Sequence, residues 1–487
     1  MTNNTPTAAD YAARAKTKIV ATLGPASRGL ECITALVKAG VDVFRINTAH
    51  GKVADYEQHL ADIAAACEET RQTVAVLVDL AGPKIRLLEL PGGSIDCQAG
   101  QTFRFVRGDG PSTATELATT LPTLVDDLQP GDRIMLADGA VSMKVESTTE
   151  SYAECSVIQP GVIRSRQGVN LPGVKLRVPA MTERDREFAI WAAKQTVDYV
   201  SLSFVRKAAE VIDLSNLLIA NGSEARVCAK IEKPEALENL DEIVDASGAV
   251  MVARGDLGVE TDLAEMAAVQ KKIISVCNQR QTPVIVATQM LDSMQHSRYP
   301  TRAEATDVTN AILDGADACM LSGETAVGEY PVESVAMMER IALSAEKLLG
   351  TRRMSRDSAG ERRPPGLHPM TQAVVHGAGE IVRGVDARLV VTASHSGATA
   401  LALSNLRLNV PILGVSDRED TVRRMNLYWG VRPMSDVPVD SMLELGRRVA
   451  AWGKECGTLS RGDHIVLVRG THFGTDVHNT LVVHEVA

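Results

Sequence analysis

“ARVCAKIE” (residues 225–232) and “GAVMVARGDL” (248–257) decide the fold. Each is a short apolar run that ends abruptly in charge, the pattern of a buried strand with a solvent-facing exit. Lys230 and Glu232 lie two apart, so their side chains share one face of the first strand. The same unit recurs along the chain. “KIVATLGP”, “VDVFRIN” and “TVAVLVDL” begin at residues 18, 41 and 73, and “VDYVSLSFV”, “TPVIVATQM” and “DACMLSG” at 197, 282 and 317. Segments of helical period, such as “LECITALVKAG”, “VADYEQHLADIAAACEET” and “TERDREFAIWAAKQ”, lie between them. Eight strands, most followed by a helix, predict an α/β fold built on a (β/α)8 TIM barrel, with a doubly wound open sheet as the alternative.

The rhythm breaks between about residues 85 and 180. There “LLELPGGSIDCQAGQTFRFVRG”, “PGDRIMLADGAVSMKVES” and “AECSVIQPGVI” alternate apolar and polar residues between Gly and Pro turns, which predicts a small inserted β-barrel domain. After the helix “ESVAMMERIALSAEKLL”, the charged, Gly- and Pro-containing “GTRRMSRDSAGERRPPG” reads as a linker. Helices and strands then alternate again to the end. The expected division is an N-terminal arm (1–16), barrel (17–83 and 179–350), inserted lid (84–178), linker (351–367) and C-terminal α/β regulatory domain (368–487).

The 487 residues carry a net charge of −10, which argues against a general binder of nucleic acid or of an anionic membrane. An anionic small substrate would need a local cationic pocket. Eight scattered cysteines without a CxxC pair indicate neither a zinc site nor a disulfide framework, and no run approaches the length of a membrane span. The expectation is a cytoplasmic protein with reduced thiols.

In a barrel, the C-terminal ends of the strands surround one mouth, so polar residues there converge from distant parts of the sequence. The strand exits offer Arg45 and Asn47; Asp79; Ser203 and Arg206; Lys230 and Glu232; Arg254 and Asp256; Thr288 and Gln289; and Ser322 and Glu324. Arg86 follows just beyond the third strand. Glu232 and Asp256, on neighbouring strands beside a lysine, suit Mg2+, which takes one or two carboxylates, keeps waters and binds substrate phosphate. Arg45, Arg86 and Lys230 form a cationic set next to them, the combination that phosphoryl transfer requires. The same residues also fit a salt bridge at a barrel rim and solvated surface cations.

These pieces closely resemble the pyruvate kinase family from about residue 17 to the C-terminus. The resemblance rests on “TKIVATLGPAS”, “FRINTAHG”, “GPKIR”, “GVNLPG”, “SFVRK”, “KIEKPEAL”, “VARGDLGVE”, “ATQMLDSM”, “PTRAEATDV” and “DGADACMLSGETAVGEYP”, in that order. It implies phosphoryl transfer from phosphoenolpyruvate to ADP, giving pyruvate and ATP, in a homotetramer. Lys230 then matches the lysine that stabilises the phosphoryl group in flight and the enolate, and Glu232 and Asp256 match the ligands of Mg2+ (or Mn2+). Gly255 and Thr288 match positions at the substrate carboxylate, Arg45 and Arg86 match arginines at the phosphates, and Asn47 lies in the same substrate-binding set. Ser322 and a water near Thr288 are candidates for the path that protonates the enolate.

The chain also departs from the family pattern. Many members bind K+ through the Asn and Ser of “RxNxSHG” and the Asp and Thr of “DTKGPE”. Here “RINTAHG” keeps Asn47 but has Ala49, and “DLAGPK” keeps Asp79 but has Leu80, while Lys84 replaces a frequent Glu. The expectation is that the Lys84 ammonium substitutes for the monovalent cation, so that K+ is not required. In the C-terminal domain, “TASHSGATA” resembles the family's effector loop, with Ser394, Ser396, Gly397 and Thr399 as candidates for holding a sugar phosphate or nucleotide. An ordinary polar strand-to-helix turn is the alternative. Two other functions remain open at this level: a catalytically silent paralogue that senses phosphometabolites, and another Mg2+-dependent barrel enzyme acting on a pyruvate enolate.

Overall fold

The computed structural model describes residues 14–137, 139–351, 367–435, 437, 441–469 and 479–487. Most of the expected N-terminal arm and linker lie outside them.

Eight parallel strands close into a barrel in chain order: β1 (Lys18–Thr22), β2 (Val43–Asn47), β3 (Ala75–Asp79), β4 (Tyr199–Leu202), β5 (Arg226–Ile231), β6 (Ala249–Ala253), β7 (Val284–Ala287) and β8 (Ala318–Leu321), with β8 pairing back onto β1. Helices cover the outside, so the strands are buried on both faces and read as near-continuous apolar runs. Alternation still decides direction. Ile19, Phe44, Ile46, Val76, Val78, Val200 and Val227 join the cluster under the helices, while Val20, Val43, Leu77, Cys228, Met251, Ile285 and Met320 fill the interior. The inward face continues upward through Thr22, Arg45, Asp79, Ser201 and Lys230, where apolar residues give way to polar ones.

The inserted domain has its own core, including Phe103, Phe105, Ile134, Met143 and Cys155. It consists of a six-stranded sheet and a ribbon formed by Ser94–Cys97 and Gly161–Arg164. The C-terminal domain carries a five-stranded sheet in the order Val431–Met434, Ile412–Val415, Leu389–Ala393, His464–Arg469 and Thr480–Glu485, with only the last strand antiparallel. It packs beneath the barrel, where the inward-facing Lys18 and Tyr199 reach backbone carbonyls of Val431 (2.8 Å) and Arg424 (3.0 Å). Among the described residues, no helix is long and apolar enough to cross a membrane, and the eight cysteines form no disulfide.

Candidate active site

Asp79, the last residue of β3, is the centre of the mouth. Its carboxylate accepts from Arg45 Nε (2.8 Å) and from the Ser201 hydroxyl, and lies 3.4 Å from Lys230 Nζ. Burial alone would raise its pKa, but Lys230 and Arg45 outweigh burial and hold it below the usual carboxylate range. Arg45 is fixed on its other edge by Thr22 Oγ1 (3.0 Å). Both cations are thus oriented by one buried anion.

Lys230 donates to Ser203 Oγ at 2.7 Å and stands 2.9 Å from Glu232 Oε1. Burial opposes its charge, but Asp79 and Glu232 overcome this and push its pKa above the ordinary lysine value. It is therefore an ammonium throughout the physiological range. The other oxygen of Glu232 accepts from Phe204 N at 2.9 Å, an arrangement made possible by the left-handed backbone of Phe204 (φ +56°). Thr288 (φ +68°) and Gln289 (φ +54°) share that sparsely populated conformation at the exit of β7. Such strain gathers where function over-determines the backbone.

The residues present fit a divalent cation. Glu232 Oε1 is buried and accepts no aligned hydrogen bond, despite the nearby Lys230 ammonium. Burial pushes the Glu232 carboxyl up, Lys230 opposes this, and the Asp256 charge adds to it. Two neighbouring carboxylates, one with a buried oxygen that meets only the Lys230 ammonium at 2.9 Å, provide the hard, partial ligand set expected for Mg2+, whose other positions go to water and substrate oxygens. Asp256 lies at the start of the helix Arg254–Glu260 and faces Lys84 Nζ at 3.6 Å across the cleft below the lid.

The other predicted positions divide into those at the mouth and those turned away. Gly255 N donates to Thr288 Oγ1 (2.7 Å), so these two adjoin. The Ser322 hydroxyl is buried without a hydrogen bond. Asn47 Oδ1 accepts from Ala49 N (3.1 Å). Arg86, however, is not part of the Arg45–Lys230 cluster. It sits at the junction of the barrel and the inserted domain, bridged to Gly168, and its guanidinium donates to the Arg166 carbonyl at 3.1 Å. Arg206 instead braces the lid's return through the carbonyls of Leu176 and Val178, and Arg254 is held by Asp307 and the Thr288 carbonyl. Glu324 is buried and accepts from the backbone of Leu291 and Ser322. A strand-end position gives a side chain's height in the barrel but not its partner. Ser201, which bonds Asp79, lies outside the strand-end set. Its place two residues below Ser203, on the same inward face, is the signal that would have found it.

In the C-terminal domain, Gly397 adopts φ +82° as the cap of the helix Ala398–Asn405, and its N–H donates to Ser394 Oγ at 3.1 Å. Ser396 Oγ accepts from Ala398 N, Thr399 is buried, and His395 pairs with Asp417 at 2.9 Å.

Residues 14–335 match the family model for the pyruvate kinase barrel domain, and residues 372–484 match that for the pyruvate kinase alpha/beta domain. The chain belongs to the pyruvate kinase family. It is 38% identical over 479 residues to the pyruvate kinase of Geobacillus stearothermophilus, covering 97% of this chain and 80% of that one. The pyruvate kinase of Staphylococcus aureus strain MRSA252 is 36% identical over 474 residues, with the same coverage. A crystal structure of a pyruvate kinase from Cryptosporidium parvum superposes with a TM-score of 0.91 at 31% identity, covering 98% of this chain and 97% of that chain. Pyruvate kinases are phosphotransferases, and the cations and carboxylates of this mouth are the groups such chemistry needs.

Proposed function

We propose that this site transfers the phosphoryl group of phosphoenolpyruvate to ADP, with Mg2+ or Mn2+ held by Glu232 and Asp256. The observation that carries the reading is Lys230, kept charged and fixed between Asp79, Glu232 and Ser203. A loose phosphoryl-transfer transition state spreads charge over the equatorial oxygens, and catalysis consists mostly of positioning and neutralising it. Lys230 and Arg45 present fixed positive charge to those oxygens, and Lys230 then faces the enolate left behind. A divalent cation, when bound, supplies further charge neutralisation for the substrate oxygens. The Gly255–Thr288 pair marks the side on which the substrate carboxylate is received, and the unsatisfied Ser322 hydroxyl is placed to order a water on the proton path to the enolate. Arg86, at the junction of the barrel and the inserted domain, is proposed for the phosphates.

The same reading includes independence from K+. Of the side-chain oxygens that the family pattern offers to that ion, Asp79 is engaged by Arg45 and Ser201 and Asn47 by Ala49 N, while Ala49 and Leu80 offer none. Lys84 contributes a fixed charge at the edge of the metal site instead. A homotetramer in the cytoplasm, with a sugar phosphate or nucleotide effector at the 394–399 loop, completes the proposal.

A coupled assay for pyruvate tests the activity. Turnover should depend on both ADP and Mg2+, and Lys230→Met should lower kcat by about 10³-fold. Phosphoenolpyruvate binding without ADP-dependent turnover would instead favour the silent sensor. Mass by light scattering checks the tetramer, and a panel of sugar phosphates and nucleotides checks the effector.

A further inference from the structure

Three buried aspartates tie the barrel floor to the C-terminal domain, and each immediately precedes a strand. Asp42, Asp198 and Asp317 accept the backbone N–H of Ile19, Val76 and Val284 on neighbouring strands. Each also meets an arginine from below: Arg432 at 3.4 Å, Arg423 at 3.0 Å and Arg407 at 2.9 Å, respectively. The three clamps are alike in construction but stand under different strands.

Above Asp317, the inward residues Ala318 and Met320 are apolar, and above Asp42 the apolar Val43 separates the clamp from Arg45, which bonds Asp79. Above Asp198, every inward position on β4 and its exit is polar and bonded. Tyr199 Oη donates to the Arg424 carbonyl (3.0 Å), Ser201 donates to Asp79, and Ser203 Oγ receives Lys230 Nζ (2.7 Å). Arg424 is buried and fixed by Asp420 (2.8 Å), Thr421 Oγ1 (2.9 Å) and the Glu224 carbonyl (3.1 Å). The C-terminal domain therefore holds the foot of a strand whose two upper hydroxyls bond Asp79 and Lys230 directly. Burial raises the Asp198 carboxyl to about 6 against the pull of Arg423. A buried pair of that kind is a weak source of stability, and fixing geometry is a better account of it.

We propose that Asp198, Tyr199 and Arg423 are positioning residues for Lys230, through which the seating of the C-terminal domain sets the register and height of β4 at the active site. Small displacements of a catalytic group carry large rate penalties, so this joint acts on kcat although it lies at the opposite end of the barrel.

The test compares matched neutral pairs in the full-length enzyme. Asp198→Asn with Arg423→Gln should lower kcat about tenfold with the KM for ADP unchanged. The control pair Asp317→Asn with Arg407→Gln should leave kcat unchanged, although it loosens an equivalent clamp. Tyr199→Phe keeps the ring's packing and should lower kcat in the same direction as the Asp198–Arg423 pair, and Arg423→Lys should restore part of it. Thermal midpoints measured alongside separate positioning from unfolding. Equal loss of kcat in the control pair, or unchanged kcat in both Tyr199→Phe and the Asp198–Arg423 pair, would overturn the proposal.

Discussion

At the scale of single residues, the site depends on how buried charges are shared. Asp79 serves Arg45 and Lys230 together and so fixes both cations at the mouth, where Lys230 also stands 2.9 Å from Glu232. Lys84 pairs with Asp256 at 3.6 Å. Lys84→Gln should reduce kcat/KM for phosphoenolpyruvate about tenfold by removing one fixed charge beside the substrate. Added K+ should not restore it, because Ala49 and Leu80 supply no side-chain oxygen; a K+ titration of the variant reads this directly. Residue types at strand exits were legible in the sequence, and Lys230, Glu232 and Arg45 do meet at the mouth. Arg206, Arg254 and Arg86 show the limit of that reading. Their exits are at the right height, but carbonyls and carboxylates that only the folded chain brings near take up their guanidinium groups.

At the scale of elements, the turns leaving β3 and β4 hold the site together. Gly82 has φ +68°, and a Cβ there would lie 2.7 Å from Phe204 Cδ2 and 2.9 Å from Ser203 Cβ. The two turns therefore pack backbone to side chain, with Phe204 itself left-handed and aimed at Glu232. Gly82→Ala should lower stability by about 1–2 kcal/mol from the left-handed backbone alone. It should also lower kcat more than KM, because the displaced Ser203 and Phe204 support Lys230 and Glu232; chemical denaturation and steady-state kinetics on the same preparation check both. The helices and strands were readable from periodicity, and “VADYEQHLADIAAACEET” is the helix Val53–Thr70 in full. The clamps beneath the barrel are not legible in the sequence, although “VDV”, “VDY” and “ADA” each place an aspartate just before an apolar strand. Such an aspartate resembles any polar strand boundary until the arginine below it is known.

At the scale of the whole molecule, one chain brings a barrel, a lid and a C-terminal domain to bear on one mouth. The joint between the barrel and the C-terminal domain carries a pH signature. The folded-state pKa of Asp198, about 6, lies above the ordinary 3.8, so folding favours its protonated form. Stability from this group is present below about pH 4 and is lost as pH rises through 6, by about 3 kcal/mol at most. Asp198→Asn does not titrate there, so its unfolding free energy relative to the parent protein should rise between pH 4 and 7; denaturant midpoints across that range measure the difference. The account's central claim is phosphoryl transfer at a mouth whose fixed cations make K+ dispensable. Pyruvate formation from phosphoenolpyruvate, ADP and Mg2+ with tetramethylammonium as the only monovalent cation tests it most directly. The account predicts full turnover, changed less than about twofold by added K+. No turnover, or a large and saturable stimulation by K+, would contradict it.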